Sequence, residues 1–230
     1  MRCASLSSPR NPGAVRRAQA CMAETILNEL FNGPALDARL RWLNPPPAWG
    51  LESGRLVVRP APQTDFWQQT HYGFRADNGH FLHLEIAGDF SVTTKVHFHP
   101  AHLYDQAGLM VRVGPSCWIK TSVECESQGP FKLGAVVTNH GHSDWSLQDF
   151  PRGRNQVRLR IRRKAEDFLV EWASGAGESW RLLRVAYLHE RADQPVKCGV
   201  YASSPKGGGF RAEFEFFRVV RDPVSKRPPA

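Results

Sequence analysis

The chain has 230 residues, of which 41% are hydrophobic and 23% are charged, and it carries a formal net charge of +8. This length and composition suffice for one large domain with a full core, and no apolar run approaches the roughly 18 residues of a membrane-spanning helix, so we expect no membrane association. The charge lies mainly in the tails, since residues 1–23 contain four arginines and no acid, and residues 218–230 contain four basic residues and one acid. A nucleic-acid partner is therefore not expected for the body of the chain.

Three regions are predicted along the chain. Residues 1–23 are rich in arginine and serine and lack the apolar run of a secretory signal, so we interpret them as a flexible or non-native leader. A transit peptide is the alternative, and Met22 is a second candidate for the start. Residues 24–220 form the body, and the proline-rich, basic segment 221–230 is expected to be a flexible tail.

The chain contains an odd number of cysteines without the spacing of metal ligands, namely Cys3, Cys21, Cys117, Cys125 and Cys198. The last three lie inside strand-like runs. This pattern favours buried free thiols over a disulfide framework, and it predicts a reducing, cytoplasmic location.

Short strand-like segments dominate the body. Residues 24–31 fit either a short helix or a first strand, and residues 41–49 place two tryptophans around a proline run, which is typical of an ordered loop or an edge strand. Apolar and polar side chains alternate in residues 90–98, whereas residues 141–150 are rich in Gly, His, Ser and Asp and are predicted to form a loop. About a dozen such strands, with no long amphipathic helix, predict an all-β antiparallel sandwich or jelly roll of two sheets.

Residues 104–124 predict a central hairpin whose two faces differ, because successive strand side chains point to opposite sides of a sheet. One face is expected to join the core and carries Leu109, Val111, Val113, Ile119, Thr121 and Val123. A Gly-Pro-Ser turn at 114–116 places Arg112 near Trp118 and Met110 near Lys120 on the second face. This second face is the best candidate for a binding surface.

Several motifs occur in an order that resembles a family of proteins related to the yeast regulation-of-enolase protein. They are WLNPPPAW, DFWQQTHYGF, GDFSVTTKV, YDQAGLMVR, WIKTSVE and GAVVTNHGHSDWS, and they span residues 42–203. The resemblance implies a concanavalin-A-like lectin/glucanase fold, which is also similar to the sandwich domains appended to some bacterial β-xylosidases. It further implies a regulatory role through a protein partner.

A carbohydrate site on such a sandwich combines a flat aromatic ring with directional polar groups on one sheet face. The candidate ligand-binding residues are Asp105, Gln106, Arg112, Trp118, Lys120, Glu124, Asp144 and Trp145. Asp144 and Trp145 are expected to form a wall beside the sheet. This site requires Trp118 to be exposed, and the alternative is a solvated sheet face with one partly buried tryptophan.

Catalysis and metal binding have weaker support. Glucanases of this fold use a motif resembling Glu-x-Asp-x-Glu, but residues 122–126 have serine at its first position. Carboxylates two residues apart on a strand, as in 124/126 and 213/215, lie about 6.5 to 7 Å apart, outside the retaining range and inside the inverting range. The pairs His97/His99 and His140/His142, the latter with Asp144, have spacings that can converge on a metal, but polar loop histidines are the favoured interpretation. No cofactor or metal is therefore predicted.

A row of basic residues runs through residues 152–164, namely Arg152, Arg154, Arg158, Arg160, Arg162, Arg163 and Lys164. No aromatic residues are interleaved for base stacking. We interpret the row as an edge or outer-face strand whose charges prevent aggregation, with an acidic protein surface as the alternative partner. The sequence thus predicts a non-catalytic module that binds a carbohydrate or polyhydroxy metabolite. The alternative is a regulatory protein-interaction module, and a glycan-active or metal-dependent hydrolase ranks third.

Overall fold

The computed structural model describes residues 23–126, 130–189 and 194–221. The predictions for residues 1–22 and 222–230, including Cys3 and Cys21, lie outside these ranges. Within them the chain forms seventeen strands, where the sequence predicted about a dozen. The same ranges contain no helix with the length and hydrophobicity that membrane crossing requires.

In chain order the strands are β1 (Glu24–Glu29), β2 (Arg41–Leu43), β3 (Ala48–Glu52), β4 (Arg55–Arg59), β5 (Phe66–Gln68), β6 (Arg75–Asp77), β7 (His80–Ile86), β8 (Phe90–His99), β9 (Gln106–Gly114), β10 (Cys117–Glu124), β11 (Lys132–Asn139), β12 (His142–Asp149), β13 (Gln156–Lys164), β14 (Asp167–Ala173), β15 (Arg181–Tyr187), β16 (Val196–Ser203) and β17 (Arg211–Arg221). Sheet I has the order β15-β14-β13-β8-β17-β4-β3, and β1 also pairs with β17. Sheet II has the order β12-β11-β10-β9-β16-β7-β2. A separate two-stranded ribbon consists of β5 and β6. The predicted all-β antiparallel sandwich is confirmed.

The main core lies between sheets I and II. In β8 every second side chain from Phe90 to Phe98 is buried, as the alternation predicts. Leu109, Val111 and Ile119 reach the same core from the β9–β10 hairpin. Since burying a large apolar side chain contributes about 1.5 to 3 kcal/mol, this layer is the main source of stability.

The central hairpin has the predicted register. Arg112 is paired with Trp118 and Met110 with Lys120 across β9 and β10. The strands also approach closely at Gly108, where a Cβ atom would lie 1.9 Å from the carbonyl oxygen of Thr121. The two faces of this hairpin are therefore fixed, and the second face points away from the main core.

Two local predictions needed the structure to settle or correct them. Residues 24–31 contain a strand, β1, which pairs with β17. The prediction of a loop at 141–150 is wrong, because β12 occupies most of it as the edge strand of sheet II. The turn at His140 and Gly141, with φ of 52° and 73°, is tight enough to return the chain directly, and the exposed β12 lacks the apolar alternation that reveals a strand.

The free thiols are only partly as predicted. Cys117 and Cys198 are buried and unbonded to one another, whereas Cys125 lies just beyond β10 and is half-buried. Cys125 is therefore at the edge of the core rather than inside it.

We expect the Gly199→Ala substitution to destabilise the fold by at least about 2 kcal/mol, because the added Cβ would lie 1.9 Å from the carbonyl oxygen of Leu82. Gly50→Ala is the control, since a Cβ there has no neighbour within 4 Å. Urea unfolding of both variants measures the difference. Equal midpoints for the two variants would contradict the close strand approach.

Candidate functional site

The outer face of sheet II is covered in part by a second apolar layer. The β5–β6 ribbon places Phe66 against this face, and the buried members of the layer are Phe66, Phe81, Met110, Trp118, Val136 and Tyr201. Trp118 is 0% exposed, so the prediction that it is exposed is wrong. The Phe66 ring lies edge-on to Trp118 at 6.4 Å between centroids, and this packing prevents Trp118 from stacking on a ligand.

Arg112 anchors the covering ribbon. Its two terminal nitrogens donate to both carboxylate oxygens of Asp77 at 2.7 Å, and its guanidinium lies 5.6 Å from the centre of the Phe66 ring. At the other strand of the ribbon, the backbone N–H of Gln68 donates to the Ser143 hydroxyl at 2.9 Å. The ribbon is therefore fixed to sheet II through both of its strands.

A buried polar cluster lies beside this apolar layer. Lys120 Nζ donates to Asp65 Oδ1 and to Gln106 Oε1, both at 2.9 Å. The Tyr201 hydroxyl also donates to Gln106 Oε1, at 3.0 Å. Burying a cation is costly without a counterion, and Asp65 supplies that counterion to Lys120 under the ribbon.

Glu124 lies in the same cluster without an ion pair of its own in the described residues. Its Oε1 accepts a hydrogen bond from the Ser122 hydroxyl at 3.1 Å. Burial raises the pKa of Glu124 to about 7, although the positive charge of Lys120 acts in the opposite direction. Near neutral pH, Glu124 is thus able to accept a hydrogen bond or to donate one.

These residues form the floor of a cleft of about 1630 Å³ on the outer face of sheet II. The polar floor consists of Gln106, Lys120 and Glu124. The walls are rich in aromatic rings and include Trp67, His71, Tyr72, Phe74, Tyr104 and Trp145. A concave site with a few convergent polar groups and aromatic walls is typical of small-ligand binding.

The aromatic wall is organised around Trp145. Its ring lies edge-on to Trp67 at 6.1 Å and to Tyr104 at 6.2 Å between centroids, and it is 37% exposed. Another part of the wall is the tip of the β5–β6 ribbon, where Tyr72 is 94% exposed and has φ of 65°. The rings are therefore accessible from the cleft, unlike Trp118.

The structure brings five of the eight predicted site residues into the cleft, namely Gln106, Lys120, Glu124, Asp144 and Trp145. Trp118 and Arg112 lie below the ribbon. Asp105 lies outside the cleft, because its Oδ2 accepts from the amides of Ala101 and His102 at 2.8 Å and its Oδ1 accepts from the Ser204 hydroxyl at 2.6 Å. Its carboxylate closes a turn and is unavailable to a ligand.

Sequence reasoning missed the residues that the ribbon contributes. Asp65, Trp67, His71, Tyr72 and Phe74 all line the cleft, and all belong to one aromatic-rich stretch, DFWQQTHYGF. That density of aromatic residues in a short, Gly-containing segment was the available signal. It could not indicate which sheet face the segment would cover.

The two carboxylate pairs considered for hydrolysis lie in different sheets. Glu213 and Glu215 lie on β17 in sheet I, whereas Glu124 lies on β10 in sheet II. Glu213 binds Arg55 and Arg211 at 2.6 Å, and Glu215 binds Lys95 at 2.8 Å. Glu213 and Glu215 are therefore both held in ion pairs.

The histidine pairs do not gather into a metal-ligand set. His97 and His99 lie on β8 in sheet I, where His97 is 2.6 Å from Glu215. His140 stacks on His189 at 3.5 Å between ring centroids, near the start of β12. Within residues 23–126, 130–189 and 194–221, no group of three His, Cys, Asp or Glu side chains has the geometry to hold a metal ion.

Four members of the basic row lie on the outer face of sheet I, namely Arg158, Arg160, Arg162 and Lys164, whereas Arg152 and Arg154 precede β13. Arg160 and Arg162 each donate to Glu171 at 2.8 Å, and Arg160 lies 4.2 Å from the centre of the Trp180 ring. Its strand, β13, lies between β14 and β8, so it is an outer-face row on an internal strand and not an edge. Arg163 differs from the others because it is buried.

Comparison with known proteins adds a family and a fold. The model of a family described as "protein of unknown function (DUF1349)" matches residues 42–221. The Saccharomyces cerevisiae protein called Regulation of enolase protein 1 is 34% identical over 193 residues, which cover 84% of this chain and 91% of the yeast protein.

Solved structures are similar over most of the chain. A crystal structure described as a functionally unknown protein from Saccharomyces cerevisiae has 31% identity and a TM-score of 0.74, with 80% of this chain and 97% of that chain covered. Xylan beta-1,4-xylosidase from Bacillus halodurans has 16% identity and a TM-score of 0.70, with 85% of this chain and 39% of that chain covered. At that identity the second likeness concerns the sandwich fold alone.

We expect the Glu124→Gln variant to gain stability relative to the natural protein as pH rises from about 4.5 to 8. The folded state raises the pKa of Glu124 from 4.5 to about 7, so the natural protein loses stability over this window because Glu124 ionises in the unfolded state while the buried carboxyl stays protonated. The gain is at most about 3 kcal/mol, and urea unfolding across this pH range measures it.

Glu213→Gln is the control, because its effect on stability should change with pH in the opposite direction. Burial alone would raise the pKa of Glu213, but hydrogen bonds from Arg211 and Arg55 outweigh it and lower the pKa to about 2. That variant should be less stable than the natural protein above pH 4.5, with a deficit that shrinks toward pH 2. A Glu124→Gln difference that is flat from pH 4.5 to 8 would show that Glu124 is not held protonated.

Proposed function

This chain belongs to the DUF1349 family, and on that premise we propose that its cleft binds a carbohydrate or a related polyhydroxy metabolite without catalysis. The observation that carries the proposal is the combination, in one cleft, of a buried polar floor and an accessible aromatic wall. Sugars present apolar C–H faces that stack on aromatic rings, and their hydroxyls require directional hydrogen-bond partners. Both requirements are met within the same concave surface.

The floor supplies partners of different kinds. Gln106 offers its side-chain NH2 group as a donor, because its carbonyl oxygen already accepts from Lys120 and Tyr201. Lys120 is a cationic donor, and Glu124 donates or accepts according to its protonation. Because Asp65 and Tyr201 hold Lys120 and Gln106 in place, a ligand would meet groups that are already ordered. Such ordering lowers the entropy cost of binding.

The wall supplies the stacking surface. Trp145 is supported edge-on by Trp67 and Tyr104, and one part of its ring remains open to solvent. A rigid aromatic ring buries ligand area while losing little conformational freedom. Trp145 therefore takes the role that the sequence assigned to Trp118.

Hydrolysis is not proposed, because acids in the cleft other than Glu124 are bound to cations. Asp65 lies 2.9 Å from Lys120, Asp77 lies 2.7 Å from Arg112, and Asp144 lies 3.2 Å from Arg184. A glycosidase needs a second carboxylate that is available as a base or nucleophile. The described cleft offers one buried carboxyl group and no such partner.

We expect Trp145→Ala to weaken the binding of neutral and acidic sugars relative to the natural protein, as measured by calorimetric titration with a panel of such sugars. The reason is the loss of the stacking surface, which should weaken binding by at least about tenfold. Trp49→Ala is the control, because Trp49 is similarly exposed, at 42%, but lies on β3 of sheet I and does not line the cleft. Unchanged binding by the Trp145→Ala variant would exclude the cleft as the sugar site.

A second candidate function is regulation of a partner protein, and the 34% identity to Regulation of enolase protein 1 favours it. The surface best suited to a partner is the end of sheet I. No other described strand pairs with the free side of β15. Its outward side chains Leu182, Val185 and Tyr187 are each more than half exposed.

The chemistry of this surface indicates the kind of partner. An exposed edge strand accepts another strand through backbone hydrogen bonds. Next to the apolar side chains, the basic residues of β13 lie on the same outer face, where Arg162 pairs across the sheet with Leu169, the residue that also pairs with Val185. An extended partner segment that alternates apolar and acidic residues fits this arrangement, and enolase is the first protein to test.

We expect purified enolase to bind the natural protein saturably, and Val185→Asp to weaken that binding by about tenfold, because it places an unpaired carboxylate in an apolar contact. Calorimetric titration measures both affinities. Leu30→Asp is the control, since Leu30 is 42% exposed and lies beyond β1, away from β15. Equal affinity for the two variants would exclude the β15 edge, and no binding by the natural protein would exclude enolase as the partner.

A further inference from the structure

We propose that the cleft selects a negatively charged ligand, a polyhydroxy compound that carries one carboxylate or phosphate group. This inference rests on the proposed carbohydrate-binding function and specifies its ligand class. It follows from the distribution of charged side chains around the cleft. Three of the acidic side chains that line the cleft form ion pairs with cations of the protein, whereas two of the basic side chains form none with a described carboxylate.

Three carboxylates that line the cleft are each bound to a cation of the protein. The pairs are Asp65 with Lys120 at 2.9 Å, Asp77 with Arg112 at 2.7 Å, and Asp144 with Arg184 at 3.2 Å. Two of these cations, Lys120 and Arg112, are buried at the base of the ribbon. Because each pair is internally neutral, these three acids leave little negative charge to repel an anion.

Glu124 is the fourth acid of the cleft, and its position also limits its charge. It is buried, its Oε1 accepts from the Ser122 hydroxyl, and burial raises its pKa to about 7. Below that pH its second oxygen carries the proton and acts as a donor. A donor at the floor suits the oxygen atoms of an acid group or of sugar hydroxyls.

Two cations in the walls have no such compensation. Arg75, on β6, and Lys206, in the turn after β16, both line the cleft, and neither forms an ion pair with a described carboxylate. Both side chains are exposed. A concave surface with an excess of one charge focuses its field and raises the local concentration of ligands of the opposite charge.

The aromatic wall distinguishes this site from a simple anion site. An inorganic anion has no face to stack on Trp145, whereas a sugar acid or sugar phosphate stacks with its ring and reaches a cation with its charged group. The two sources of negative charge, carboxylate and phosphate, share the same recognition chemistry here. Glucuronate and glucose 6-phosphate distinguish them, and glucose is the matched neutral ligand.

The test is a calorimetric titration of the natural protein with glucose, glucuronate, glucose 6-phosphate and inorganic phosphate at low ionic strength. We expect at least one of the two anionic sugars to bind about tenfold more tightly than glucose and than phosphate. The Arg75→Gln/Lys206→Gln double variant should lose that preference and keep the affinity for glucose. Arg59→Gln is the control, because Arg59 lies on β4 of sheet I, where it pairs with Glu52 at 3.2 Å.

Different failures identify different errors. If glucose binds as tightly as both anionic sugars, or if the double variant keeps the preference, anion selection is wrong while the cleft still binds sugars. If inorganic phosphate binds as tightly as glucose 6-phosphate, the aromatic wall does not contribute to binding, and the proposed carbohydrate function is wrong. If none of the four ligands binds, both the proposed function and this inference are overturned for monosaccharides and their acids.

Discussion

The buried ion pair between Lys120 and Asp65 is the interaction on which the covered outer face of sheet II depends. Lys120 belongs to the central strand β10, whereas Asp65 immediately precedes the ribbon that covers it. An ammonium group left under that ribbon without its carboxylate would be strongly unfavourable, and an apolar residue in its place would pack equally well. The pair therefore contributes orientation more than stability, since it determines where the segment before β5 crosses sheet II. The part of the cleft that the ribbon forms takes its position from that crossing.

Much of the sandwich could be predicted because its alternation has a single physical cause. In β8 and in the β9–β10 hairpin, one side chain in two must leave water, so the period of two is visible in the sequence. The second face of the hairpin was harder to interpret. Met110, Trp118 and Lys120 fit a solvated face as well as a covered one, because a long polar stem and an aromatic ring are compatible with both. Whether that face is covered depends on residues 61–79, which are distant in sequence.

The same limit explains which site residues were found. Gln106, Lys120 and Glu124 were accessible to reasoning because they share a parity on strands whose register could be deduced. Asp105 has the same chemistry as a ligand-binding acid. Its carboxylate instead accepts hydrogen bonds from the Ala101 backbone and the Ser204 hydroxyl, and these contacts depend on a turn that the sequence does not specify. β12 was missed for a related reason, because an exposed edge strand needs no apolar alternation. The local sequence pattern thus predicts which side chains the core buries. It does not predict how the residues of one loop contact another segment.

The tip and the base of the β5–β6 ribbon differ in their contacts. Gln69, His71 and Tyr72 adopt left-handed backbone conformations there, at about 1 kcal/mol or more each, while the ribbon is secured at its base by Asp77 and Phe66. His71 and Tyr72, which line the cleft at the tip, are thus distinct from the residues that hold the ribbon on sheet II. Exchange of the rings at the tip would leave the sandwich undisturbed, just as antibody loops vary on a constant framework. The lining of the cleft is therefore open to change at a place where the scaffold does not depend on it.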